Sequence, residues 1–283
     1  MAIIIALIPA IAWGSIGLVS GKLGGNAYQQ TLGMTVGALF FGIGTWLFAH
    51  PVMDTKVWLL GILSGLFWAL GQSQQFQAMK YIGVSMTVPM STGMQLVAST
   101  LAGALLFGEW KTGKMVAMGL LALVLLVVGA TLSSRKEKTG ESSASGNYVK
   151  GIRTLLISTA GYAGYTIVVN AGHLGATAVV MPQAVGMLVG ALLFSIGHDA
   201  FAKATAKNIV TGLFWGTGNV FMLMAMSSVG LAIAYSMSQM GIVISTFGSI
   251  FLLGERKTHK EMTWVTWGAI LIIAGGVVLG MMK

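Results

Sequence analysis

Apolar residues fill this chain in long blocks, and most of the polar positions fall between them. A helix needs about 20 mostly apolar residues to cross the hydrocarbon core of a bilayer. That rule predicts ten spans, at roughly 2–20, 29–49, 56–78, 82–107, 114–133, 152–171, 176–197, 207–227, 230–253 and 262–282. The first block has no basic segment before it, and Lys22 follows it, so it is expected to be a span and not a cleaved leader. The connections are short except one. SRKEKTGESSASGNY, within 134–150, is charged and rich in Ser and Gly, which is the composition of a mobile linker. The predicted fold is therefore an all-α integral membrane protein of ten transmembrane helices. A first five-helix unit covers 1–133, a linker 134–150, and a second five-helix unit 151–283.

One stretch breaks the apolar pattern from within. Trp68–Gln95 reads WALGQSQQFQAMKYIGVSMTVPMSTGMQ and carries Gln72, Gln74, Gln75 and Gln77, then Pro89 followed by Ser91, Thr92 and Gln95. Uncharged amides and hydroxyls at membrane depth are costly unless they meet one another, water or a polar cargo. Gln72 and Gln75 are three apart and share a helix face. An amide both donates and accepts, as a sugar hydroxyl does. The plainer reading of any one of these amides is a hydrogen bond to a neighbouring helix.

The two halves look like copies. GLFW at Gly65–Trp68 recurs at Gly212–Trp215, and GEWKTGK at Gly108–Lys114 recurs as GERKTHK at Gly254–Lys260. Gln30, Gly33 and Gly37-Ala-Leu-Phe-Phe are echoed by Gln183, Gly186 and Gly190-Ala-Leu-Leu-Phe. With an odd number of spans in each copy, the second half is expected upside down relative to the first. Inverted repeats of this kind frame secondary transporters, with cargo held near the midplane between them. The duplication aligns Asn219 with Gln72 and Trp215 with Trp68, and sets Tyr235-Ser-Met-Ser-Gln239 opposite the Pro89–Gln95 segment. It also pairs Pro182-Gln183 in the seventh span with Gln30 in the second. Gly33/Gly37, Gly61/Gly65, Gly186/Gly190 and Gly212/Gly216 offer small, smooth helix faces. Trp13, Trp68 and Trp215 fall within spans, where an indole can pack on the C–H face of a sugar. Trp46, Trp58, Trp110, Trp264 and Trp267 lie near span ends, as an interfacial belt requires.

Composition and charge narrow the cargo. The chain is 55% hydrophobic and 8% charged, with mean hydropathy +0.84, against about 25% charged residues in soluble domains. It has no cysteine, hence no disulfide or thiolate chemistry. The net charge of +9 does not imply nucleic acid, because the basic residues sit between the apolar blocks. Of the 16 Lys and Arg, twelve fall in connections after odd-numbered spans, which puts the linker in the cytoplasm and both termini outside. None of the seven acidic residues is central to a span. A cation carrier would place a carboxylate there, and an anion carrier an Arg or Lys, so a neutral substrate is expected. Glu109 and Glu255, in the repeated loop, are candidates for carrying a proton; the alternative is pairing with Lys111 and Lys257. The four histidines show no metal-ligand spacing, and no HExxH or P-loop is present. The expectation is a protein that is not an enzyme, needs no cofactor, and draws on a gradient, the proton gradient first.

The block GQSQQFQAMKYIGVSMTVPMSTGMQLV followed by FGEW, with WGTGNVFMLMA in the second half, resembles the bacterial glucose/ribose uptake porters. That group belongs to the drug/metabolite transporter superfamily, and the resemblance covers essentially the whole chain. It implies ten spans from a duplicated five-span unit, and import of a monosaccharide coupled to protons across the bacterial cell membrane. The candidate substrate contacts are Trp13, Trp68, Gln72, Gln75, Gln95, Gln183, Trp215, Asn219 and Gln239. Two other functions stay open at this point: export of a neutral metabolite or drug, and a non-transporting membrane sensor or assembly partner. Partners are a small sugar and membrane lipid, with monomer and homodimer both open.

Overall fold

The structure, a computed structural model, describes residues 2–135, 137, 145–252 and 257–282. Among the described residues twelve α-helices follow one another and no strand occurs. In the first half these are α1 (Ala2–Leu23), α2 (Ala27–Ala49), α3 (Thr55–Ile82), α4 (Val84–Leu101) and α5 (Gly113–Ser134), with a π-helical turn, Ala102–Leu106, closing α4. In the second they are α6 (Ser145–Ala171), α7 (Ala176–Ser195), α8 (Lys203–Lys207), α9 (Ile209–Val229), α10 (Leu231–Ser238), α11 (Gly241–Leu252) and α12 (His259–Gly280).

Helix starts follow local sequence. Asn26 accepts from the Gln29 amide while the Gln29 side chain returns to the Asn26 N–H, and Thr258 and Glu261 make the same reciprocal box at α12. Asp54 and Thr112 cap α3 and α5. At the foot of α12, Lys260 donates to Glu137 at 2.8 Å, the single ion pair among the described residues. That bond, with a second from Thr258, holds the Glu137 carboxyl below its ordinary range.

Eight helical stretches among the described residues are long and apolar enough to cross a membrane. Helices also cover the third and fourth predicted spans, but α3 and α4 fall short of that hydropathy. The shortfall is not one of length for α3, whose 28 residues extend about 42 Å at the usual helical rise. It comes from the amides of Gln72–Gln77 and the Ser, Thr and Gln of α4, the residues that made this stretch stand out.

Packing is reciprocal between the halves. α3 lies along α6 and α7, α9 along α1 and α2, α2 meets α7, and α5 meets α12. α4 packs on α6 while α10 and α11 pack on α1. Lipid tails are as apolar as leucine, so close backbone approach has to supply much of the attraction between such helices. Gly212 of α9 meets the backbone of Met34, Gly37 and Ala38 on α2, and Gly65 of α3 meets Gln183 and Gly186 on α7, each with no room for a Cβ.

Two glycines turn the chain where a side chain would be strained. Gly83, at φ 80, joins α3 to α4, and Gly230, at φ 87, joins α9 to α10. The stretch predicted as one ninth span is long and apolar enough to cross a membrane as one piece, Leu231–Leu252. Within it α10 ends at Ser238 and α11 starts at Gly241, and the turn between them tightens, the Met240 N–H bonding the Met237 carbonyl and the Ile242 N–H the Gln239 carbonyl. No proline marks this tightened turn, so the residue pattern did not predict it.

Candidate functional site

Six helical segments converge on one cavity, of which about 110 Å³ is open to the centre of a water molecule. One water needs roughly 10–15 Å³ on that measure, so the space suits several waters or one small solute. α3 lines it with a single face, Trp68, Gln72, Gln75, Phe76 and Met79, which recur at helical spacing. α4 adds Val88, Thr92 and Gln95, and α1 adds Trp13, Gly14, Ile16 and Gly17. Tyr162 and Tyr165 come from α6, Trp215 from α9, and Tyr235, Ser238, Gln239, Gly241, Ile242 and Ser245 from the α10–α11 segment. None of the lining residues is Asp, Glu, Lys, Arg or His.

Three glutamines of the wall are joined through hydroxyls into one set. Tyr162 OH shares its one proton between Gln72 Oε1 at 2.8 Å and Gln75 Oε1 at 3.1 Å, and Gln72 Nε2 donates to Gln75 Oε1 at 3.4 Å. Ser91 Oγ accepts from both Gln75 Nε2 at 2.8 Å and Gln95 Nε2 at 2.7 Å. Tyr235 OH donates to Gln95 Oε1 at 2.5 Å. Every amide oxygen in this set is thus already bonded to a hydroxyl, while each –NH₂ keeps a second N–H beyond the bonds just named. Thr92 and Gln239 have no side-chain hydrogen bond among the described residues. The wall therefore offers spare amide donors, hydroxyls that both donate and accept, and aromatic faces.

Trp68 and Trp215 meet edge to face, ring centroids 5.6 Å apart at 67°. Trp13 Nε1 donates to the Trp215 carbonyl at 3.2 Å, which fixes the α1 indole against α9. Of the nine candidate contacts, Trp13, Trp68, Gln72, Gln75, Gln95, Trp215 and Gln239 line the cavity. Gln183 and Asn219 do not. Both are fully buried behind the wall, where Asn219 Nδ2 donates to Gln183 Oε1 at 2.6 Å and Gln183 Nε2 to Ser64 Oγ at 2.7 Å. Tyr165 OH closes this second network on Asn219 Oδ1, and Ser64 Oγ bonds the Tyr165 carbonyl at 2.8 Å. The aligned pair thus separates: Gln72 faces the cavity, and Asn219 braces the tyrosine beside it.

Three lining tyrosines were absent from the sequence-based set. A tyrosine inside an apolar span needs a partner for its hydroxyl, and Tyr162 and Tyr165, three apart on the sixth span, carried that signal. Glu109 lies away from the cavity and does not pair with Lys111. Its carboxylate accepts the Leu231 N–H at 2.7 Å and the Ala232 N–H at 2.9 Å, capping the start of α10 just after Gly230. Glu255 lies outside the described residues. No group of three or more metal-binding side chains occurs among the described residues. The cavity lining has no nucleophile with a base beside it, and its polar groups can form hydrogen bonds without supplying charge.

Known proteins resemble this chain along its whole length. The family model described as sugar transport protein matches residues 4–282. A relative from Lactiplantibacillus plantarum, named for sugar uptake, is 61% identical over 100% of both chains. One from Enterococcus faecalis, also named for sugar uptake, is 51% identical over 100% of both. One from Priestia megaterium, named for glucose uptake as GlcU, is 46% identical over 100% of both. A crystal structure of a protein 17% identical in sequence superposes with a TM-score of 0.70, over 99% of this chain and 97% of that one, a likeness of fold.

Proposed function

Because this multi-span membrane protein belongs to the sugar transport protein family, we propose that it is a secondary transporter importing a neutral, glucose- or ribose-like monosaccharide into the bacterial cell. The observation that carries this is the cavity: amides, hydroxyls and indoles with no charged side chain among its lining residues. A sugar hydroxyl can accept from the spare N–H of Gln72, Gln75 or Gln95 and donate to a tyrosine or threonine oxygen. Its C–H face packs on Trp13, Trp68 or Trp215. Gln183 and Asn219 hold Tyr165 in place from behind.

Movement follows the duplication. Residues 1–133 and 151–283 act as two inverted five-helix halves joined by a cytoplasmic linker, both termini outside. α3 and α4 span the membrane with the other eight helical stretches, sheltered from lipid where they are most polar. The halves rock about the cavity and expose it to each side in turn. The reciprocal packing of α3 on α6 and α7 and of α9 on α1 and α2 supports a two-fold arrangement. So do Gly83 and Gly230, which repeat one unusual backbone conformation at matched positions. Gln239 lines the cavity at the tightened turn between α10 and α11.

Import is driven by the proton gradient. Since no Asp, Glu, Lys, Arg or His lines the cavity, the proton travels outside it, with Glu109 at the α10 terminus and its repeat counterpart Glu255 as carriers. Binding can be read directly, because three tryptophans line the cavity. Titrating the purified protein with glucose and with ribose is expected to change its tryptophan fluorescence saturably, while glucosamine and gluconate, which carry charge, do not. No saturable change with any neutral monosaccharide would contradict the proposal.

A further inference from the structure

A second hollow lies on the outside of the helix bundle and has the opposite chemistry. It encloses about 470 Å³ between α2, α7 and α8. Leu32 and Val36 form one wall and Leu188 and Leu192 another, each pair four apart on its helix. The third wall is α8 and the start of α9, through Ala202, Thr205, Ala206 and Ile209. Thr205, Ala206 and Ile209 lie one, three and four apart and share one side of the helical run from α8 into α9, with Ala202 just before it. The single hydroxyl, on Thr205, is already bonded to the Ala200 carbonyl and the Ala202 N–H. A sugar would find nothing to bond here, and an alkyl chain would find apolar wall throughout.

The rim carries charge. Lys203 and Lys207, one helical turn apart and off that lining side, are exposed and have no ion-pair partner among the described residues. Other basic groups collect at the same end. Lys80 Nζ stands 5.8 Å from the Tyr28 ring, Tyr28 stacks on His198 at 3.9 Å, and Tyr28 and Leu188 pack against Leu32 beneath the groove. The acid at this edge is Asp199, whose carboxylate lies 3.4 Å from Gln29 Nε2. The balance is positive above an apolar trough.

We propose that this groove seats one acyl chain of an anionic phospholipid, with Lys203 and Lys207 holding its phosphate. The occupant has to be both apolar and anionic, which a zwitterionic lipid satisfies only in part and a free phosphate not at all. The site is separate from the sugar cavity, and its loss leaves sugar binding intact.

Native mass spectrometry of the full chain, mixed with phosphatidylglycerol or phosphatidylcholine at equal concentration, tests this. The wild-type protein is expected to retain one phosphatidylglycerol in preference to phosphatidylcholine. Lys203→Ala with Lys207→Ala should weaken that retention about 30-fold, from about five-fold per lysine near a membrane surface, and weaken phosphatidylcholine much less. Ala206→Trp, which fills the trough, should weaken retention of both lipids. Three results would overturn the proposal: equal retention of the two lipids by the wild type, competition by glycerol phosphate without acyl chains, or a lipid-free dimer that Ala206→Trp alone disrupts. The last would make the groove a contact between copies.

Discussion

Replacing Gln75 by Leu separates a cargo contact from a structural hydrogen bond, because the structure predicts unequal effects on the two. Leucine is close to glutamine in size, so little volume changes. The amide accepts from Tyr162 OH at 3.1 Å and from Gln72 Nε2 at 3.4 Å, and donates to Ser91 Oγ at 2.8 Å. Each strong partner keeps another bond: Tyr162 still reaches Gln72 Oε1 at 2.8 Å, and Ser91 still accepts from Gln95 at 2.7 Å. The fold therefore loses about one interhelical hydrogen bond, worth about 0.6 kcal/mol on average in membranes. That lowers the melting temperature by roughly 1–3 °C. A bound sugar loses one or two hydrogen bonds at about 1 kcal/mol each, so its dissociation constant should rise about 5- to 30-fold. Sugar titration by tryptophan fluorescence, alongside a thermal melt of the same preparation, reads both numbers. An unchanged dissociation constant with a lower melting temperature would refute the reasoning and make Gln75 a bond between helices only.

Asn219→Ala should behave oppositely, since it strands the buried Tyr165 hydroxyl and the Gln183 carbonyl. The expected loss is about 2–4 kcal/mol, seen as a melting temperature several times further depressed than for Gln75→Leu; a smaller shift would mean water replaces the amide. Gly212→Ala places a methyl against the backbone of Met34, Gly37 and Ala38, which cannot yield as a side chain would. Size-exclusion chromatography should show aggregated or poorly folded protein, and a monodisperse, active variant would contradict the close α2–α9 contact. Glu109→Gln keeps one acceptor but loses the charge at the α10 terminus, worth about 0.3–1 kcal/mol. Hydrogen exchange at Leu231 and Ala232 should quicken, and if Glu109 carries the proton, uptake should lose its response to a pH gradient.

Much of the cavity lining could be read from residue pattern because polarity inside an apolar block is conspicuous. Trp68, Gln72 and Gln75 share a helix face whatever the tertiary packing, and Gln95 and Gln239 interrupt apolar runs. What pattern cannot give is which side of a helix faces a cavity and which faces a neighbour. Gln183 and Asn219 have the chemistry of a contact, yet α7 and α9 turn them toward Ser64 and Tyr165. Tyr162, Tyr165 and Tyr235 were legible as hydroxyls needing partners, but the partners lie 54 to 140 positions away. The tightened turn at Gln239 carries no proline, so nothing local announces it. Glu109 was expected to meet Lys111 two residues on. Instead Gly230 brings free N–H groups from 122 positions away, and backbone donors at a helix start outcompete an exposed lysine.

Uptake of radiolabelled glucose and ribose into proteoliposomes, with and without an imposed inward proton gradient, tests the central claim most directly. The account predicts time-dependent accumulation of at least one of these sugars, raised by the gradient and abolished by an uncoupler. Failure to accumulate either sugar under any gradient would contradict it.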